Sequence, residues 1–318
     1  MASRTSAALA TPPLPPPASP SSPLVDSEIR TVLEASIARS RRLKDKLASL
    51  WMSAAFLTML LPLGAVIAYV ISKGASQFSF EFVTTDLPVV SSSAEGGIGP
   101  AVYGTLLITG AAALMAVPLG ILGAVYLCEY GGSNRLATVI RFLADVMTGV
   151  PSIVMGLFIY TVWVLVFSWS GLAGSLGLAC LMLPVVIRST EEMLRLVPDD
   201  LRQASYALGN RKWRTVLTVV LPAAVGGIVS GVMLAVARAA GETAPLLFTI
   251  GVVTEPNPNI FSGPNTALST QIFSNAQSSF PAAQDRAWGA AFTLILLVFV
   301  LTVTARVVAS RYARKRGG

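Results

Sequence analysis

A chain of 318 residues that is 53% hydrophobic and 12% charged, with mean hydropathy +0.68, is too apolar for a water-soluble fold, where about 25% of residues carry charge. It reads as an all-α integral membrane protein surrounded by lipid, and its net charge of +7 needs no nucleic acid, because membrane proteins gather Lys and Arg on cytoplasmic loops. There is no histidine, the two cysteines Cys128 and Cys180 sit in apolar runs, and no G-x4-G-K-[ST] occurs, which excludes His-based acid–base or metal chemistry and a phosphate loop for ATP; no cofactor is expected.

In chain order, residues 1–25 are Ala, Ser, Thr and Pro and are expected to be disordered. From Ser27 to Leu50, Ile29, Leu33 and Ile37 recur every fourth residue, followed by Arg39, Arg41, Arg42, Lys44 and Lys46. That pattern fits a basic helix lying on the membrane surface or a positive anchor for the first span. The tail and this helix make up segment 1–48, ahead of a six-span domain at 49–310 and a basic tail at 311–318. Trp51–Ile71 is uncharged and long enough to span. Ser72–Glu95 is polar, and Gly96–Cys128 is a second uncharged run holding Pro118. After the turn Glu129–Asn134, Arg135 to Ile187 is too long for one helix and divides at Ser168–Gly171 into two spans with a tight hairpin. Arg141 and Asp145, one turn apart, pair with each other or snorkel.

Residues 188–214 form the central loop, with six bases: Arg188, Arg195, Arg202, Arg211, Lys212 and Arg214. Pro198 with Asp199 and Asp200 signals a helix start, with carboxylates at the positive end of the dipole. Leu201, Ala204, Ser205 and Leu208 follow at helical spacing, Gly209–Asn210 stops the helix, and Trp213 opens the next. The fifth span begins near Thr215 and contains Arg238, with Glu242 four residues on; such a pair shares one helix face. Counted from Pro222, Arg238 falls in the outer half of the membrane, and the uncharged run Thr243–Thr254 suggests that the membrane continues past it. A charge within a span costs at least ~2.5 kcal/mol and normally faces the bundle interior. Glu255–Asp285 reads as an outer loop and Ala287–Ala305 as the sixth span, before Arg311, Arg314, Lys315 and Arg316. Residues 1–50, 129–145, 188–214 and 306–318 hold 20 of the 23 Lys and Arg, while the outer segments hold Lys73 and Arg286. Both termini are therefore expected in the cytoplasm of a multi-pass plasma-membrane protein.

The order Gln203-Ala204-Ser205, Gly209, then Val219-x-Leu221-Pro222 resembles the EAA loop of ABC-importer permeases, with Gln203 and Ser205 in place of the usual Glu and Ala. Further stretches are Gly104-Thr105-Leu106, Val117–Ile121, Tyr126–Tyr130, Val150–Leu157, Glu191–Leu194 and Ala237-Arg238-Ala239-Ala240-Gly241-Glu242-Thr243-Ala244-Pro245-Leu246-Leu247. Together, over roughly residues 50–310, they are similar to the A-type permeases (PstA) of phosphate-specific Pst importers, members of the MetI-like permease family. The resemblance implies a six-span fold and half of a phosphate pathway. Arg238, Glu242 and Thr243 would lie on that pathway, with phosphate competing with Glu242 for the guanidinium. Gln203, Ala204, Ser205, Leu208 and Gly209 would form a coupling helix that docks on the ATPase. Implied partners are a related C-type permease, two cytoplasmic ATPase subunits and an extracytoplasmic phosphate-binding protein. Three other readings stay open at this point: a permease for sulfate or molybdate, a membrane-embedded enzyme using Asp199 and Asp200, and a regulatory scaffold without transport.

Overall fold

A computed structural model describes residues 39–93, 95–132 and 134–314, and the disordered-tail expectation for 1–25 lies outside this range. The chain divides into two compact units, residues 1–66 and Ile67–Gly318. All regular elements among the described residues are helices. The first, α1, is Arg39–Gly74. The described part of the basic segment enters the apolar run as one helix, even through Pro62. The remaining elements belong to the second unit: α2 (Phe80–Thr84), α3 (Gly99–Tyr130), α4 (Arg135–Gly149), α5 (Ser152–Phe167), α6 (Gly171–Arg195), α7 (Asp199–Ala207), α8 (Lys212–Gly241), α9 (Ala244–Thr249), α10 (Leu268–Ala276) and α11 (Pro281–Arg314). The chain winds into single π-turns at Tyr126–Tyr130 in α3, Tyr160–Val164 in α5 and Val216–Val220 in α8.

Five helices are long and apolar enough to cross a membrane, within α1, α3, α6, α8 and α11, and the α4–α5 pair makes the sixth if it is one broken span. That pair adds a second break, inside the expected third span, to the one expected at Ser168–Gly171. The axis turns by 104° between Gly149 and Ser152. Proline disfavours helical backbone in the residue before it, and Val150, preceding Pro151, is extended at φ −71, ψ 126. The hairpin at Ser168–Gly171 is present: Ser168 takes φ 70, and the Ser170 side chain caps α6 by accepting from Ala173 N. The expected 255–285 loop carries α10, and α11 starts at Pro281, earlier than the apolar run alone suggests.

The core of the second unit is built from α3, α6 and α8. Ile108, Ala112, Ala116 and Ala124 of α3 pack with Leu178, Met182 and Val186 of α6 and with Ala224, Ile228 and Val232 of α8. The many Ala positions let the helix axes approach, as helix packing in lipid requires. Large apolar side chains such as Leu114, Phe158, Leu217 and Phe299 stay exposed on the outer faces, as expected where lipid is the solvent. Ser175 Oγ donates to Ile108 O at 3.0 Å near the first turns of α3 and α6. Cys128 Sγ lies 3.5 Å from Glu191 O near their last turns, so α3 and α6 run parallel. One closer approach needs glycine: a Cβ on Gly104 would lie 1.9 Å from Thr266 O, so α3 and the start of the 266–269 segment touch backbone to backbone.

Candidate functional site

The central loop folds as its sequence dictates. Pro198 precedes α7, Asp199 and Asp200 fill its first turn, and the helix ends at Ala207. Gly209 then takes φ +79, which side-chain-bearing residues rarely adopt, and its N–H donates to Tyr206 O at 2.9 Å. Lys212 opens α8, its ammonium standing 5.1 Å from the centre of the Tyr130 ring.

The loop is clamped to the body by one arginine. Arg202 Nε donates to Glu129 Oε1 at 3.1 Å, Nη1 to Val197 O at 2.6 Å and to Asp199 Oδ1 at 3.0 Å, and Nη2 to Leu194 O at 2.9 Å. The Arg202 side chain is 15% exposed and that of Glu129 is 6% exposed. A buried charge needs both a partner and hydrogen bonds, and this guanidinium has both. A second hub lies beside it. Glu191, at 3% side-chain exposure, accepts from Arg141 Nε at 3.0 Å and Arg195 Nη2 at 2.6 Å through one oxygen. Arg141 Nη2 also donates to Leu127 O at 2.9 Å. The expected Arg141–Asp145 pair is thus replaced: both residues reach across to α6, Asp145 to Arg188. The i,i+4 spacing offers little, and the buried Glu191 carboxylate draws Arg141 away.

The candidate docking residues divide by exposure. Gln203, Ala204, Leu208 and Gly209 are exposed, Leu208 at 83%, beside exposed Leu196, Leu201 and Tyr206. Leu208 itself falls one residue past α7. Ser205 faces inward, its Oγ 2.8 Å from Thr215 Oγ1, and Asn210 Nδ2 donates to Ser205 Oγ at 3.3 Å. The exposed face of the loop thus carries apolar side chains, braced from beneath by polar ones.

At the other end of α8, Arg238 Nε donates to Glu242 Oε1 at 3.3 Å. The Arg238 side chain is 70% exposed and Glu242 19%. An ion pair this open is weak, and the guanidinium makes no other hydrogen bond or ion pair among the described residues, so its remaining donors are free for an anion. Arg238 continues an exposed row on α8 with Ala223, Gly226, Ser230 and Leu234. The helix stops at Gly241, and Glu242 is extended at φ −70, ψ 126. Glu242 O accepts from Ser269 Oγ at 3.0 Å, which ties the turn to α10. Thr243 is half-buried, and its carbonyl accepts from Leu246 N and Leu247 N to start α9. The structure therefore gathers Arg238, Glu242 and Thr243 at one turn, and Gln203 to Gly209 at another. Sequence reasoning missed Arg202, Glu129 and Glu191. An acid ending a long uncharged run was the available signal for Glu129. No cluster of three metal-ligating side chains occurs among the described residues.

Residues 116–316 match the family described as binding-protein-dependent transport system inner membrane component. The chain is 41% identical over 296 residues to "Phosphate transport system permease protein PstA 1" of Mycobacterium tuberculosis (strain CDC 1551 / Oshkosh), covering 92% of this chain and 97% of that protein. It is 40% identical over 277 residues to "Phosphate transport system permease protein PstA" of Yersinia pestis, covering 87% and 92%. Among solved structures, a bacterial alginate ABC transporter in complex with alginate pentasaccharide-bound periplasmic protein matches with TM-score 0.60 at 13% identity, over 87% of this chain and 98% of that one. The inward-facing MetNI methionine ABC transporter matches with TM-score 0.54 at 18% identity, over 69% and 95%. At these identities the two structures speak for the fold.

Proposed function

The chain belongs to the binding-protein-dependent transport inner-membrane components and, within them, to the PstA phosphate permeases, and from this premise we propose that it forms one half of the membrane pathway of an ATP-driven inorganic phosphate importer. The observation that carries this reading is Arg238, an exposed arginine held by a single carboxylate on an exposed row of α8 whose other members are Ala223, Gly226, Ser230 and Leu234. A row with a single large side chain, Leu234, beside an open guanidinium suits a surface that meets a second, related permease with the anion between them. Planar guanidinium donors fit a tetrahedral oxyanion, and Glu242 engages one of them, Nε, until phosphate arrives. Thr243 holds the turn that aims Glu242. ATP is hydrolysed by a separate subunit, since this chain has no phosphate loop. Two such subunits would be engaged, one by this chain through the ridge of Gln203, Ala204 and Leu208, with Gly209 shaping the turn and Ser205 bracing it from beneath. An extracytoplasmic phosphate-binding protein would deliver the anion on the opposite side, with both termini of this chain in the cytoplasm.

The test is ATP-dependent uptake in vesicles holding this chain with its partner permease, ATPase and binding protein. Labelled phosphate should accumulate and labelled sulfate or molybdate should not. Arg238→Gln should leave assembly intact and lower uptake at least tenfold, and Glu242→Gln should be milder. Wild-type uptake by Arg238→Gln at wild-type abundance would make the arginine architectural, and accumulation of sulfate instead of phosphate would reassign the substrate.

A further inference from the structure

α3 joins the two candidate sites. At its last turn Glu129 holds Arg202 of the docking loop. Near its first turn Thr105 Oγ1 accepts from Leu268 N at 2.8 Å while donating to Ala101 O, with Gly104 flush against the Thr266 backbone. One residue beyond Leu268, Ser269 Oγ donates to the Glu242 carbonyl at 3.0 Å. Thr105, Leu268 and Ser269 are buried, so water does not compete for these bonds. From Thr105 to Glu129 a helix covers about 36 Å. Along that length α3 packs on α6 through Ile108, Ala112, Ala116 and Ala124, and such a core shifts as a body rather than stretching.

We propose that α3 is a rigid rod clasped at both ends, by Glu129–Arg202 to the docking loop and by Thr105–Leu268 to the segment that holds Glu242, and that it carries motion of the docked loop to the Arg238 site. Arg202 and Glu129 are in this scheme positioning residues for coupling. The inference rests on the reading of residues 199–209 as the ATPase-docking segment. With Gln203 in place of an acidic residue, the charge that organises this segment comes from its neighbour Arg202, which points inward. When the loop moves, Arg202 draws the end of α3 with it. At the far end the backbone contact of Gly104 with Thr266 forces the 266–269 segment to follow. The Glu242 carbonyl follows in turn through Ser269, and with it the carboxylate that occupies Arg238.

The test measures phosphate uptake and ATP hydrolysis on the same vesicles holding the complete transporter. The variants are Arg202→Gln, Glu129→Gln, the two together, and Thr105→Val. Breaking a buried pair on one side leaves a lone charge and destabilises the chain, whereas the double variant leaves none and keeps assembly. The expected result is hydrolysis near the wild-type rate with phosphate carried per ATP lowered at least about tenfold in the double variant. The double should be no worse than either single, as two members of one clasp require. Thr105→Val, far from the docking surface, should show the same separation of hydrolysis from uptake. A phosphate-to-ATP ratio within about twofold of wild type in the assembled double variant or in Thr105→Val would overturn the rod. Failure of the wild-type chain to assemble with the ATPase would sink the docking assignment, and the rod with it.

Discussion

The hydroxyls of Ser205 and Thr215 meet at 2.8 Å, and both residues are buried. One belongs to α7 and the other to the first turn of α8, so this bond closes the bend between them. It also explains a departure from the EAA pattern: the second alanine of that pattern is Ser205 here, and its hydroxyl is satisfied internally. Ser205→Ala should lower stability by about 1–3 kcal/mol by stranding the Thr215 hydroxyl. Adding Thr215→Val should return part of that loss, since both hydroxyls are then gone and only the half-buried Asn210 amide has lost a partner. Thermal unfolding of the purified chain in detergent checks both, and a double variant less stable than Ser205→Ala would show that the bond is not the cause.

Gly209 holds φ +79 with open space around its Cα, so a side chain there would suffer from backbone conformation rather than from crowding. A β-branched residue resists that region, at about 1–2 kcal/mol. Gly209→Val should unfold the bend and abolish phosphate uptake while the chain still inserts. Gly209→Asn should retain most uptake, because asparagine tolerates the left-handed region. Equal uptake from the Val and Asn variants would remove the conformational argument.

Glu191 is buried between Arg141 and Arg195 and joins α4 to α6. Glu191→Gln should destabilise the chain by about 1–3 kcal/mol, because the half-buried Arg141 loses its carboxylate while the exposed Arg195 can turn to water. Glu191→Asp keeps the charge and should lose less. Comparing the melting temperatures of the two variants is sufficient, and a Glu191→Gln chain that melts with wild type would mean that the network is dispensable.

Orientation is tested with single cysteines at Ala207 and Ser279, both exposed, in a background with Cys128→Ser and Cys180→Ala. A membrane-impermeant thiol reagent should reach Ala207→Cys from the cytoplasmic side and Ser279→Cys from the opposite side. Asn265, though in the same outer segment by sequence, is buried and would give no signal. Labelling of both positions from one side would contradict the charge asymmetry of 20 bases against two.

Features set by neighbours in sequence were legible before the structure. The Pro198–Asp199–Asp200 start, the Gly209 turn and the Arg238–Glu242 pairing all depend on spacings of four residues or fewer. Contacts between distant segments were not legible. Glu129 and Arg202 are 73 positions apart and Arg141 and Glu191 are 50 apart, and no period links them. Arg141 illustrates the limit, since its local partner Asp145 loses to a buried carboxylate on another helix. Arg286 is another case: counted as an outer base, it is buried and donates to the carbonyls of Ser91 and Ser93. Proline was an ambiguous sign. Pro62, Pro118 and Pro184 sit inside continuous helices, whereas Pro151 marks a turn of 104°. In a packed membrane bundle neighbouring groups can satisfy the carbonyls that a proline frees, so its effect depends on surroundings that the sequence does not display.

The break before Pro151 bears on the lipid as well as the protein. If the α4–α5 pair is one broken span, the turn of 104° leaves the crossing to α5, whose 16 residues reach at most about 24 Å, against a hydrocarbon layer of about 30 Å. α4 meanwhile presents Leu136, Val139, Phe142 and Val146 outward alongside Arg135, a composition suited to lying at the headgroup level. The bilayer would then thin around α5 or drag α4 inward, and each ångström of mismatch carries a small energetic penalty. Bilayer thickness would thereby act on the bend itself: short-chain lipids would relax it, and long-chain lipids would pull α4 and α5 toward a common line.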